Sequence, residues 1–366
     1  MNSVTGSVSQ WQTFSRGLKF NRLACVSLCV LFLLYLGAIF ADFVSPYSFE
    51  DEERTYSYCP PTKIHFFTGD GALARPFVYG TSFSFNEYKQ RVYVEDTTRS
   101  YPVQLFTDGY EHKLFGIFKT RIHLFGVNTR ARIYIWGADS RGRDLFTRIV
   151  HGGRISLSIG FIGVAISFII GLFVGGISGY YGGRIDTVIM RICEMVMMIP
   201  GFYLMLILRG LAPVTMSSLQ VYIMIVFIFS FIGWAGMARV IRGLSISLRE
   251  REYVLAAKAL GVSDIKIILK HIIPHTLSYT IPAATLSIPG YILGEAALSF
   301  LGLGIQDPIP SWGNLLTESM AVAQIVFHPW ILLPGVFIFI TVICFNLFGD
   351  FLRDTVDPKL KNRELG

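Results

Sequence analysis

Two carboxylates, Glu194 and Glu295, sit inside stretches otherwise too apolar for water. A charged side chain in hydrocarbon costs at least about 2.5–3.5 kcal/mol, so such groups face a bundle interior or a water-filled passage. The chemistry open to them is proton relay or the lining of a polar path. Arg191 lies one helical turn from Glu194 and offers it an ion-pair partner, whereas Glu295 has only Ser299 within a turn. Glu194, Glu295 and Ser299 are therefore the candidate translocation-path residues. Nothing points to catalysis. The seven histidines are scattered, and the one helix-spaced pair, His271 and His275, has Pro274 between its members. Of the five cysteines, Cys25, Cys29, Cys193 and Cys344 lie in apolar stretches and Cys59 stands alone, so neither a disulfide framework nor a metal spacing is present. No catalytic residue, no metal and no cofactor of its own is expected.

A third group of residues is set apart by polarity. Between Glu252 and Pro274 runs a polar, basic segment flanked by apolar ones. Seven basic residues (Arg239, Arg242, Arg249, Arg251, Lys258, Lys266, Lys270) face three acidic ones (Glu250, Glu252, Asp264) in and beside it. The spacing predicts a helix capped by Ser247, with Glu250 completing a capping box, and stopped by Gly261 in the left-handed conformation. Ser263 is expected to cap a second helix. Its Ile265, Ile268, Leu269 and Ile272 form one apolar face, and Pro274 ends it. The small residues at 256, 257 and 259 allow a partner's backbone to approach closely.

The elements that must hold these groups are membrane spans. Only 16% of the 366 residues are charged and 52% are hydrophobic, with a mean hydropathy of +0.51; soluble domains carry about 25% charged residues. Apolar runs of the length needed to cross about 30 Å of hydrocarbon are expected near 23–41, 155–178, 188–208, 219–241, 276–300 and 330–352. The first follows Arg16, Lys19 and Arg22 and lacks a small-residue cleavage pattern, so an uncleaved span is expected. With residues 1–22 inside, the segment 242–275 and the tail 353–366, bearing Arg353, Lys359, Lys361 and Arg363, are also inside. The loop 301–329, free of Lys and Arg, is outside. The net charge of +7 thus argues for orientation in a lipid bilayer and against nucleic-acid binding.

Residues 42–136 form a segment with 11 basic and 11 acidic residues between the first two spans. Alternating runs at 91–95 and 132–135 read as short strands. Within the second span Gly171, Gly175 and Gly179 recur every four residues, a helix-packing strip. Pro200, Pro282 and Pro289 are expected to bend their helices. Trp312, in a turn-rich stretch at 302–314, reads as an interface anchor.

The polar segment resembles the Ala-Ala-x3-Gly-x9 coupling loop of ATP-binding-cassette importer permeases. Ala256, Ala257, Gly261 and Pro274 fall on that motif, and Ile273 takes the place of its Leu. The motif's Glu is Leu255 here, with Glu252 one turn earlier. Further stretches continue the likeness: 137–148, 153–157, 179–183, 295–304, 310–314, 345–350 and 353–358. Together they resemble the second permease subunit of dipeptide and oligopeptide importers, a family whose nickel and glutathione relatives share the pattern. The resemblance implies an all-α polytopic membrane protein of type I importer fold with six transmembrane helices. A small β-rich extracytoplasmic insert (42–136) would divide the first span (23–41) from the permease domain (137–352). It implies as partners a homologous permease subunit, two ATPase subunits that bind ATP and Mg, and an extracytoplasmic peptide-binding protein, in a bacterial inner membrane. The ATPase-coupling residues are then Glu252, Ala256, Ala257, Gly261, Ile273 and Pro274. The chain carries no Gly-x4-Gly-Lys-Ser/Thr phosphate loop. A proton-coupled secondary transporter using Glu194 and Glu295 is the other class; its expected internal repeat is not evident.

Overall fold

The computed structural model describes residue 14 and residues 17–67, 72–87, 91–114, 117–127, 131–213 and 215–356. Arg16, the Asp-Pro pair at 357–358 and the basic tail residues Lys359, Lys361 and Arg363 lie outside the described residues. Helices α1 (Arg22–Ile39) and α2 (Ala41–Val44) precede five strands, β1 (His65–Phe67), β2 (Leu73–Phe85), β3 (Arg91–Pro102), β4 (Gln104–Leu114) and β5 (Phe118–Gly126). Then follow α3 (Leu145–Tyr181), α4 (Gly183–Met198), α5 (Gly201–Leu211) and α6 (Ser218–Arg249). After these come α7 (Glu252–Ala259), α8 (Asp264–Ile267), α9 (Ile273–Phe300), α10 (Trp312–Leu315), α11 (Val322–Phe327) and α12 (Leu333–Val356).

Five helical stretches among the described residues are long and apolar enough to cross a membrane: Arg22–Ile39, Leu145–Tyr181, Ser218–Arg249, Asp264–Phe300 and Pro329–Val356. The expected span at 188–208 is not one straight helix. It is the pair α4 and α5, bent by 72°. Pro200 stands at the break, where its missing N–H and its ring rule out a continuous ladder. Pro282 and Pro289, by contrast, lie inside the unbroken α9.

The chain divides into two compact units. One comprises Met1–Phe32, Ser158–Glu295 and Phe339–Gly366. Here α3 meets α6 at backbone distance. A Cβ built on Gly171 would stand 2.8 Å from Met237 Cβ, and one on Gly179 would stand 2.5 Å from Ser245 Cβ. A Cβ on Gly175 would collide with the carbonyl oxygen of Ala238. The strip at 171, 175 and 179 therefore carries glycine because the facing helix occupies the space of a side chain, the membrane way of gaining dispersion contact where no hydrophobic force acts between helices. Ser167 and Tyr291 add a hydroxyl–hydroxyl bond of 2.6 Å between α3 and α9.

The second unit comprises Leu33–Leu157 and Ala296–Ile338. Its strands form an antiparallel sheet in the order β1-β2-β3 and a separate β4-β5 ribbon. The run 91–95 lies in β3. The run 132–135 is not a strand. Ile133 and Tyr134 are buried, and their amides donate to Tyr47 Oη (2.8 Å) and Thr62 Oγ1 (2.9 Å) in place of a ladder partner. The alternation there reflects two large buried side chains in an irregular wall. Trp312 also departs from expectation. It is 1% exposed and its indole donates to the Ile149 carbonyl at 2.9 Å, so it is a core residue and not an interface anchor. Gly152 and Gly153 make room for its ring, which lies 3.3–3.4 Å from where their Cβ atoms would be.

Candidate coupling site

The polar segment between α6 and α9 folds into a compact helix–turn–helix module, built differently from its sequence signals in four respects. Ser247 does not cap a helix. Nothing between 243 and 249 breaks α6, which runs on to Arg249, so Ser247 and Glu250 form no capping box. Helix α7 begins at Glu252 behind Arg251, with no side-chain cap. Gly261 does stop α7, at φ +77°. The amide of Val262 bonds to the Ala257 carbonyl (3.1 Å) and that of Gly261 to the Lys258 carbonyl (3.0 Å). These are the two bonds of a Schellman motif, and the left-handed residue between them is where glycine avoids the Cβ penalty.

Ser263 then occupies the N-cap position of α8 with extended backbone, but its hydroxyl makes no capping bond. Pro274 does not end the second helix. Residues Ile268–Ile272 form a π turn that leads directly into α9. The wider turn ahead of Pro274 accommodates a ring that would clash with the carbonyl four residues back in a regular α-helix. The same change of pitch splits the expected apolar face. Ile268 and Ile272 are buried together with Ile267, while Ile265 and Leu269 remain 67% and 44% exposed.

A small core holds the module. Tyr180 at the end of α3 packs with Val254, Ala257, Ile267, Ile268 and Ile272, backed by Leu248, Val262 and Ile273. Ala257 is thus a packing residue of the module itself and not part of its approachable surface; Ala256 and Ala259 are the exposed small residues. Polar ties reinforce the core. Tyr180 Oη donates to Asp264 Oδ1 at 2.6 Å, and Arg249 Nη1 to the Gly179 carbonyl at 3.2 Å. Arg242 grips Asp186 with two bonds, 2.9 and 2.5 Å, and Ser178 Oγ donates to the same carboxylate at 2.6 Å. The ends of α3, α4 and α6 are thereby joined where the module hangs. No spacing rule flags these pairs, whose members lie 56 and 84 positions apart.

The outer face of the module is apolar and basic at once. Leu255, Leu260 and Ile265 are more than half exposed beside exposed Glu252, Ala256, Lys258, Lys266, Lys270 and Pro274, and Ile273 is half-buried.

The three path candidates occupy unlike settings. Glu194 on α4 is half-buried and accepts from Arg191 Nη1 at 2.9 Å. Glu295, on α9, is fully buried. Ser299 is buried one turn on, its hydroxyl accepting from the Ile305 amide at 3.0 Å. Among the described residues no group of three His, Cys, Asp or Glu is arranged to hold a metal.

Comparison with known proteins bears on the whole arrangement. Residues 167–362 match the family model of the binding-protein-dependent transport system inner membrane component. Residues 9–61 match the N-terminal transmembrane domain of oligopeptide transport permease C. The chain is 44% identical over 227 residues to the oligopeptide transport system permease protein OppC of Haemophilus influenzae, covering 62% of this chain and 70% of that protein. It is 32% identical over 356 residues to the dipeptide transport system permease protein DppC of Bacillus subtilis, covering 97% and 88%. It is 39% identical over 226 residues to the glutathione transport system permease protein GsiD of Pectobacterium atrosepticum, covering 62% and 73%. With more than half its length inside one family model, and the helix–Gly–helix module set between two long apolar helices of that region, the chain belongs to the binding-protein-dependent transport system inner membrane components.

Proposed function

We propose that this chain is the transmembrane permease subunit of an ATP-binding-cassette importer for dipeptides and oligopeptides. It pairs with a homologous permease, and α4 and α5 count as the sixth span of the family's fold. Both termini and the module 242–275 face the cytoplasm, where two ATPase subunits bind ATP and Mg and seat the module in a cleft. A binding protein delivers peptide on the side of the β-rich insert. The observation that carries the reading is the module itself: a Schellman-capped helix pair, rigidly cored, that offers exposed Leu255, Leu260 and Ile265 in a basic surround.

The mechanism follows from rigidity. A push on α7 reaches Tyr180 and Ile272 through a shared core and enters α6 and α9, with which the module is continuous. The permease pair then has two states, biased inside by nucleotide and outside by loaded binding protein. Half-buried Glu194 on α4 is available to a path shared with the second permease, whereas Glu295 and Ser299 contribute only if the buried face of α9 opens. The relative named for glutathione supports a cargo range that extends to small modified peptides.

The test is uptake of labelled di- to octapeptides by cells with and without the subunit, and with Gly261→Pro. Proline holds φ near −65° and removes the 261 amide that bonds to Lys258. Uptake is expected to vanish while membrane levels persist. Normal uptake by the variant would refute the lever, and normal uptake without the chain would refute the function.

A further inference from the structure

A backbone outlier marks the place where the β4–β5 ribbon meets the end of the first span. Phe106 holds φ +56° within β4, a left-handed conformation in which its Cβ crowds the following carbonyl. Such strain persists where the surrounding structure enforces it, and it gathers at functional places. Phe106 gains no burial within the chain in return. It is 66% exposed, and Leu105 beside it is 70% exposed. Its ring meets that of Phe43 in α2, with centroids 6.3 Å apart.

Phe43 sets the level of this contact. Helices α1 and α2 are parted only by Phe40, whose amide bonds to the Leu36 carbonyl and whose carbonyl accepts from Val44, both at 2.9 Å. The helical repeat therefore carries through, and Leu36, Ile39 and Phe43 fall at i, i+3 and i+7 on one face. Leu36 and Ile39 are exposed, as a lipid-facing stripe requires. Arg154 marks where the hydrocarbon ends. Its Nε donates to the Ala38 carbonyl at 2.7 Å, and its Nη2 to the Ile39 carbonyl at 3.1 Å and to Asp42 Oδ2 at 2.7 Å. A guanidinium and a carboxylate at this level belong to the hydrated interface. Phe43 lies one turn beyond Ile39, about 6 Å along the axis. Its ring and that of Phe106 thus stand beside the headgroup boundary.

The ribbon is fixed at this place. His123 of β5 is fully buried, with Nδ1 2.8 Å from the Ser45 carbonyl and 3.0 Å from that of Asp42. Its Nε2 lies 3.0 Å from the Tyr110 carbonyl in β4. Thr107 pairs with His123 across the ribbon, so Phe106 adjoins the clamp. The charges that follow, Asp108 and Arg121, pair with each other at 3.2 Å. Apolar area, and not net charge, is what this end of the ribbon presents.

We propose that Leu105 and Phe106 insert into the boundary between headgroups and acyl chains beside the end of the first span, so that the ribbon rests on the lipid surface. The left-handed backbone presents the ring, and burial in lipid offsets its strain. The inference rests on α1 crossing the membrane, which is part of the reading above; the exposed pair and its contact with Phe43 belong to the ribbon.

Full-length Phe106→Trp in phosphatidylcholine nanodiscs tests this, read as the emission added to that of the five native tryptophans. Acyl chains brominated near their headgroup end should cut the added emission about twofold or more, as for a ring at the interface. Aqueous iodide should quench it less than the bromines do. Leu105→Trp, which leaves the strained residue alone, should behave alike and covers the case in which Phe106→Trp does not fold. Quenching by iodide and none by bromine would leave the pair in water and overturn the proposal. Quenching by neither would put the pair against protein and overturn it equally. Leu36→Trp separates the two readings. Bromine quenching at 36 but not at 105 or 106 removes the lipid contact of the ribbon only, whereas none at all three positions removes the first span as well.

Discussion

The coupling module and the charged cavity solve opposite problems. The module spans consecutive residues, is held by a few apolar side chains, and leaves leucine and isoleucine exposed. The cavity, about 330 Å³ and lined by Asp139, Arg143, Arg148, Asp307 and Glu318 among others, is assembled from segments more than 150 positions apart, and its two buried arginines are paired with Asp139 and Asp307. The role proposed for the module needs local rigidity and an exposed apolar face, which short-range signals can encode. A polar interior needs every charge answered across the fold, so its stability depends on distant partners being present together.

The comparison breaks first at Arg148. Replacing it by Met leaves Asp307 and Asp139 short of a cation beside a buried core. A loss of about 3–5 kcal/mol is expected, the range for removing one partner of a buried pair. Thermal unfolding of the purified chain in detergent, followed by tryptophan fluorescence, reads it; a midpoint within a degree of wild type would show the network to be dispensable. In the module the largest conservative change is smaller. Gly261→Ala puts a Cβ at φ +77° with no steric neighbour within 4 Å, so only the backbone penalty of about 1–2 kcal/mol applies. Uptake should fall but persist, and an unchanged rate would place the lever elsewhere.

Acid sharpens the contrast further. Burial pushes the Asp307 carboxyl up, but Arg148 and Arg143 outweigh burial and hold it low. A depressed native pKa stabilises the fold above the unfolded value of about 3.9 and is lost as pH falls below it. Glu318 has the opposite sign: its raised native pKa favours the folded state most at low pH, and that gain is lost as pH rises past its folded value. Unfolding curves of Asp307→Asn should accordingly be flatter below about pH 4 than those of wild type, and equal slopes would remove Asp307 from the account. The smallest effect belongs to Ser263→Ala. With no capping bond made by the hydroxyl, the cost should stay under about 0.5 kcal/mol, below the usual ~1 kcal/mol for a lost cap. A full-sized loss would mean that Ser263 caps α8 in another state of the module.

Much of the coupling module was legible because its decisive features are local. Gly261 stops α7 through its own backbone freedom, and the Ala pair and Gly sit within six positions of one another. What failed were inferences that treated each residue's signal as sufficient. Ser247 is a good cap residue, but α6 continues past it; Pro274 is a good terminator, but a π turn lets the helix through. Trp312 carries the composition of an interface residue, yet Ile149 and two glycines bury it. The alternating run at 132–135 satisfies side-chain hydroxyls instead of a ladder.

Amphiphilic patterning, glycine and proline placement, and the charge content of each stretch determined by themselves that this chain has long apolar helices, a polar module between two of them and a strand-bearing insert. Those are properties of consecutive residues, because hydrophobic length and backbone freedom are local quantities. Which arginine meets which carboxylate, where Tyr180 anchors the module, and that Glu295 is buried while Glu194 is not were decided only in three dimensions. Ion pairing and burial depend on neighbours that the chain brings together from far apart, and no spacing along the sequence records them.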